Sequence, residues 1–348
     1  MPFEELASMP PVPVGSTPLF QSPNLSNYIG IPQLWFKDDS RNPSGSLKDR
    51  ASAVAIAMAR ESGLSTIAAA STGNAASSLA TLAASAQMKA VLFVPKTIPK
   101  PKLAQLLIHN AQVICLDCDY DTAFDLCQEA CKKFGWYNRN TAVNPFTGEG
   151  KKTAALEIAC SLRKEPDVVI CPVGDGCIIS GLYKGFTDLM KLGLINPLPR
   201  LYGVQADGAA PVVKAFENNT DIERLNHTAT LADSISVGYP RDGVKALRAV
   251  RNTNGGMIAV SDDAILEAQR YTASKGGIFI EPAAAAAIAG LFKLKDDKII
   301  NNADTIVVLL TGHGLKDIDT VMRNAHTDIE IIKPDLDSIT EKISHQDK

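Results

Sequence analysis

Short apolar runs, each leading into a helix-forming stretch and often through a glycine-bearing turn, recur along the whole chain. This alternation restricts the fold more than any other feature of the sequence. STIAAAS passes through TGN into AASSLATLAASA, and KAVLFVP precedes KPKLAQLLIHN, which QVICLD follows. DVVICPV leads through GDGCI into ISGLYKGFTDLMKLG, RLYGVQA precedes PVVKAFEN, and TIVVLL ends in TGHG. A strand that is apolar at every position has to be buried on both faces. Alternation with helices therefore predicts an α/β fold, with parallel sheets covered by helices on both sides. A length of 348 residues suggests about two such domains.

Charge and composition exclude several other classes. The formal net charge is −3 and no long basic run occurs, so no nucleic-acid partner is expected. The N-terminus MPFEELASMPPVPVGSTPLF is acidic and proline-rich where a signal peptide needs basic residues and an apolar run. No stretch is long enough for a membrane span, and AAAAAIAGL, Ala283 to Leu291, reads as a buried helix. Seven cysteines, an odd number, predict reduced thiols and a cytoplasmic protein. Cys115, Cys118, Cys127 and Cys131 are close enough in sequence to raise the question of zinc. The preferred reading is a strand followed by a helix whose Cys127 and Cys131 face the core, with no metal.

In open α/β sheets ligands sit beyond the carboxyl ends of the strands, which directs attention to three turns. GDGCI places Gly174 and Gly176 between a strand and a helix, where main-chain N–H groups and the helix dipole favour an anion such as phosphate. It is neither a dinucleotide fingerprint, since Ile179 stands at the third glycine position, nor a P-loop, since no G-K-[ST] follows. STGN, Ser71 to Asn74, reads either as an N-cap or as a seat for a carboxylate, and taken alone favours the cap. TGHG brings Thr311 and His313 to a strand end, and His313 reads as a turn residue.

Lys48 lies in NPSGSLKDR, a loop of small residues. A lysine amine attacks an aldehyde only when unprotonated, a state that desolvation or nearby positive charge favours. A phosphate seat, a lysine in a tight loop and hydroxyls at strand ends together describe a pyridoxal phosphate pocket.

The pieces TPLF, KDDSRNPSGSLKDR, STGNAASSLA, VNPFTGEGKKTAALEI, PVGDGCIISGLYKGF, EPAAAAA and TGHGLKD resemble, in order, the threonine synthase branch of the fold-type II pyridoxal phosphate enzymes. Tryptophan synthase β-chains and threonine dehydratases belong to the same family. The resemblance implies that Lys48 links covalently to the cofactor and that Gly174, Asp175, Gly176, Cys177 and Ile178 hold its phosphate. It implies that Asn74 meets the ring hydroxyl and Thr311 the pyridine nitrogen. Ser71, Thr72 and Gly73 would hold the amino-acid carboxylate, and the freed Lys48 would act as base at Cα. A neutral hydroxyl at the pyridine nitrogen makes the ring a milder electron sink, which suits elimination and replacement.

The resemblance also implies two domains, 1–50 with 153–348 as the larger and 51–152 as a smaller, mobile one carrying STGN, and a homodimer. Departures from the family pattern bear on the substrate. The phosphate loop has Asp175 and Cys177 in place of an asparagine-rich pattern, so its backbone is expected to do the binding. The serine and arginine that grip a substrate phosphate correspond to Ala142 and Thr147. Lys151 or Lys152 would substitute, or both lysines cap the solvated start of a helix KKTAALEIA. The expected reaction is O-phosphohomoserine plus water to threonine plus phosphate. The alternatives are elimination or replacement on serine, threonine or an O-activated serine, and a non-catalytic binding protein that keeps the fold.

Overall fold

The computed structural model describes all residues except 72, 97, 99, 119, 325–328, 330 and 347–348, with the backbone alone at 101, 120–121, 341 and 344–346. Among the described residues ten strands form two sheets. They are β1 (Leu19–Phe20), β2 (Leu34–Asp38), β3 (Thr66–Ala70), β4 (Lys89–Pro95), β5 (Gln112–Leu116), β6 (Tyr137–Asn138), β7 (Val168–Pro172), β8 (Arg200–Ala206), β9 (Gly256–Val260) and β10 (Ile306–Leu310). The larger sheet has the order β1-β2-β10-β7-β8-β9 and is parallel except for the short β1. The smaller, β5-β4-β3-β6, is wholly parallel and draws its strands from residues 66–138.

The apolar runs are buried on both faces because successive strand side chains point to opposite sides. On β10, Ile306, Val308 and Leu310 pack against the alanine-rich helix Pro282–Asp296. Val307 and Leu309 face the other way, toward the helices Phe146–Leu162 and Cys177–Lys191. In the smaller sheet Ile67 and Ala69 join the core made with helices Lys48–Glu61 and Asn74–Ser85, while Ala68 and Ala70 face Phe124, Cys127 and Cys131. Cys127 and Cys131 are thus buried one turn apart on the helix Tyr120–Phe134, whereas Cys115 is exposed.

Sheet order fixes where the site lies. The last strand, β10, inserts between β2 and β7. The turns after β2, β10 and β7 are consequently neighbours at one edge, and they carry Lys48, Thr311 and Gly174–Ile178. Residues Met1–Lys316 form one unit; Asp317–Lys348 form a second, with helices Ile318–Asn324 and Leu336–Gln346.

Candidate active site

The small residues around Lys48 let main chains approach one another. Leu47 N–H donates to the Thr311 carbonyl at 2.9 Å, and His313 N–H donates to the Gly45 carbonyl at 3.0 Å. On the far side of this strip Glu281 N–H donates to the Gly312 carbonyl at 3.0 Å. Main-chain bonds thereby tie together three segments distant in sequence. A Cβ on Gly312 would lie 2.3 Å from Glu281 Oε1, so a larger residue here has to push the Glu281 carboxylate away from Asn74. Asp49 closes the lysine loop, its carboxylate accepting from Ser44 N–H at 2.6 Å and Ser44 Oγ at 2.5 Å.

Behind Lys48 lies a charged network. Arg50 donates to Asp39 through Nε at 2.6 Å and to Glu157 through both terminal nitrogens at 2.6 and 2.8 Å. Lys37 Nζ donates to Glu157 Oε2 at 2.6 Å. The first turn of the Lys48 helix is held from behind by this cluster, and the amine is left facing the pocket.

Lys48 lines a small cavity of about 50 Å³ together with Lys151, the Gly174–Ile178 turn, Glu281 and Thr311. Burial, then the charge of Lys151 and more weakly that of Arg139, lowers its pKa from 10.5 to about 8, with Glu281 and Cys177 opposing. The amine is therefore neutral in an appreciable fraction near physiological pH. Among the described residues, no carbonyl or side-chain acceptor meets the N–H groups of Gly174, Asp175, Gly176 and Cys177. Gly176 has φ +91°, and a Cβ there would lie 2.7 Å from the Asp242 carbonyl oxygen. A row of open N–H donors at a helix start, sharing a cavity with a neutral-leaning amine, is the donor set that a phosphate-bearing aldehyde needs. The residues present fit pyridoxal phosphate.

The substituted turn residues turn elsewhere for partners. Asp175 Oδ1 accepts from Arg241 N–H at 3.3 Å, and burial raises its pKa. Cys177 Sγ donates to Asp242 Oδ2 at 2.7 Å, and burial pushes the thiol pKa up as well. Thr311 is buried on the cavity wall.

Two expectations are corrected. Among the described residues of STGN no side chain caps a helix: the helix starts at Asn74, its N-cap is Gly73, and Ser71 Oγ accepts from Gly73 N–H at 3.1 Å. Thr72 lies outside the described residues. Nor do Lys151 and Lys152 begin a helix. It starts at Phe146, because FTGEG is helical despite its glycines, so Lys151 falls in the second turn and is buried at 2% exposure. Lys152 pairs with Glu149 and Asp188 at 2.6 and 3.0 Å. The hydroxyl of Thr147 donates to the Asn144 carbonyl at 2.9 Å, and neither Ala142 nor Thr147 lines a cavity of the site.

A second cavity of about 530 Å³ shares Lys48, Thr141, Asp175 and Ser234 with the first and adds Ser71, Gly73 and Asn74. Asn74 Nδ2 donates to both carboxylate oxygens of Glu281 at 2.9 Å. Glu281 is 4% exposed with its pKa raised, first by burial. Sequence reasoning gave Glu281 no role, although EPAAAAA was among the motifs. Arg139, on the wall of the second cavity, was missed altogether.

Comparison with known proteins agrees with this geometry. A threonine synthase from Methanocaldococcus jannaschii is 41% identical over 91% of this chain and 79% of its own length. One from Mycobacterium bovis is 39% identical over 89% of this chain and 84% of its own. In fold, maize serine racemase superposes with a TM-score of 0.77 at 21% identity, covering 95% of this chain and 94% of that one. Threonine deaminase isoform 2 from Solanum lycopersicum gives 0.74 at 23% identity, covering 89% and 83%. Residues 12–312 match the family described as pyridoxal-phosphate dependent enzyme. The Lys48 amine and the open turn of residues 174–178 thus have a shared explanation: the chain belongs to the pyridoxal-phosphate dependent enzymes.

Proposed function

We propose that this enzyme is a lyase of the threonine synthase type, converting O-phosphohomoserine and water to threonine and phosphate. The observation that carries the chemistry is the Lys48 amine, with its pKa near 8, in one cavity with the open N–H groups of residues 174–178. The threonine synthases at 41% and 39% identity support the choice of reaction.

Pyridoxal phosphate, when bound, supplies a carbonyl for amines and a ring that withdraws electrons from the substrate's Cα. The chain's own groups do the rest. Main-chain donors of Gly174, Asp175, Gly176, Cys177 and Ile178 would hold its phosphate, with Asn74 on the side of the ring hydroxyl and Thr311, which offers no anion, on that of the ring nitrogen. Ser71, Thr72 and Gly73 hold the substrate carboxylate. Lys48 Nζ would hold the cofactor and, once free, take the proton from Cα, a task to which a pKa near the working pH is suited. Lys151 sets a positive charge beside the anionic groups. Residues 51–152 act as a mobile domain that closes over the substrate and limits water to the reacting one. The enzyme works as a cytoplasmic homodimer.

A second reading, elimination or replacement on serine or threonine, is favoured by Ala142 and Thr147, which bring no polar group to either cavity. The test is phosphate release from O-phosphohomoserine by the cofactor-loaded enzyme, run beside 2-oxo acid formation from threonine. Release of phosphate with threonine appearing supports the first reading; oxo acid without phosphate turnover replaces it by the second.

A further inference from the structure

One charged group of the inner cavity has no partner within the chain. Lys151 is 2% exposed and lines the cavity of about 50 Å³ with Lys48 and the 174–178 turn. Its neighbour Lys152 is paired with Glu149 and Asp188, whereas Lys151 Nζ makes no hydrogen bond or ion pair among the described residues.

We propose that the Lys151 ammonium binds the phosphate of the cofactor directly, so that this chain holds that group by an ion pair as well as by main-chain N–H groups. The inference rests on the reading of the cavity as the cofactor site, and it assigns Lys151 to the cofactor rather than to a phosphorylated substrate.

Packing sets where the ammonium stands. A Cβ on Gly150 would lie 2.0 Å from the Arg50 carbonyl oxygen, and one on Gly181 would lie 2.7 Å from Lys151 Cβ. The first contact presses the Lys151 helix onto the helix that starts at Lys48; the second presses it onto the helix that the phosphate turn opens. Lys151 therefore stands beside both the reactive amine and the open N–H row. Its charge reaches both, lowering the pKa of Lys48 and acting on Asp175 and Cys177 of the turn.

Electrostatics then asks for an anion. A buried ammonium with no counter-charge in contact, next to a second lysine and the positive end of a helix, is held at a cost that a hydrogen-bonded phosphate would remove. The two carboxylates on the cavity are engaged by other groups: Asp175 accepts from Arg241 N–H, and Glu281 accepts from Asn74. A phosphate seated on the N–H groups of residues 174–177 would have the Asp175 charge nearby, and Lys151 offsets it. The outer cavity of about 530 Å³, which has room for a substrate side chain, is lined by Lys48 but not by Lys151. That difference decides for the cofactor.

The test compares the wild-type chain with K151M, which keeps the apolar stem and drops the charge. Each is reconstituted with pyridoxal phosphate and with pyridoxal, which lacks the phosphate, and the dissociation constants are read by absorbance titration. The ratio of the two affinities is the readout, because an effect passing through Lys48 weakens both ligands alike. K151M should reduce the preference for the phosphorylated form about 10- to 100-fold. An unchanged preference overturns the proposal, and if the KM for O-phosphohomoserine rises at the same time, Lys151 belongs to the substrate instead. Cofactor-free K151M should melt no lower than cofactor-free wild type, since an uncompensated buried charge has been removed. A variant that melts lower, or does not fold, shows that Lys151 serves the fold and also overturns the proposal. A reduced preference in an enzyme that releases no phosphate from O-phosphohomoserine would sink the threonine synthase reading and leave this inference standing.

Discussion

Replacing Glu157 by glutamine tests whether the network behind Lys48 holds the site together. Its carboxylate accepts from Lys37 Nζ, from both terminal nitrogens of Arg50 and, at 2.9 Å, from Ser16 N–H. The Arg50 and Lys37 side chains are each 1% exposed and that of Glu157 is 23% exposed, so the charges compensate one another with little help from water. Burial alone would raise the Glu157 pKa, but the hydrogen bonds and charge of Arg50, then those of Lys37, hold it at about 2, below the ordinary 4.5. A gap of that size corresponds to about 3 kcal/mol of folding free energy. Removing one partner of a buried pair costs about 3–5 kcal/mol, so two independent routes give a similar figure. Because the folded pKa is depressed, this contribution is fully present above pH 4.5 and is lost as the pH falls from 4.5 through 2. Urea unfolding at pH 7 should find E157Q less stable than wild type by about 3 kcal/mol, and the difference should shrink below pH 4.5. A difference under about 1 kcal/mol, the size of an exposed ion pair, would refute the reasoning, as would one that stays constant down to pH 3.

The lowered pKa of Lys48 makes attachment of the cofactor pH-dependent. Stopped-flow absorbance on cofactor-free protein should show the rate rising about tenfold per pH unit and levelling off above about 8. Gly312→Ala puts a Cβ 2.3 Å from Glu281 Oε1, so thermal unfolding should record a loss of about 1–3 kcal/mol and the cofactor should be released more readily. Asp175→Asn keeps an acceptor for the Arg241 N–H while removing a buried like charge beside the bound phosphate. The cofactor dissociation constant, read by absorbance titration of the cofactor-free protein, should tighten about tenfold.

The fold was legible because both of its causes are local. Val307 and Leu309 face one way while Ile306, Val308 and Leu310 face the other, so an unbroken apolar run already states that its strand is covered on both sides. Glycine turns mark strand ends, and those ends are where Lys48, Gly174–Ile178 and Thr311 are found. What stayed hidden depends on pairings across the chain. Glu281 matters through Asn74, which lies 207 residues away, and no spacing rule links them. Arg139 follows a strand of two residues, too short for any period to show, and enters the cavity only because β6 pairs with β3. The start of the Lys151 helix was misread because Gly148 and Gly150 look like loop residues, whereas packing rather than propensity decides the helix there.

This contrast bears on how such a site changes its substrate. Beside the side chains of Asp49 and the Arg50 network, main-chain atoms tie the segments of Lys48, Thr311 and the 174–177 turn together: Leu47 to Thr311, His313 to Gly45 and Glu281 to Gly312, with an open N–H row at residues 174–177. Side-chain substitution leaves main-chain donors in place, so a turn can hold Asp175 and Cys177, direct them toward Arg241 and Asp242, and still present its N–H groups inward. The outer cavity has no such protection. There Arg139, Thr141, Ser71 and Asn74 line the wall, and one substitution alters charge and shape together. A substitution on the inner turns thus leaves the main-chain donors in place, whereas one on the outer cavity changes its wall directly.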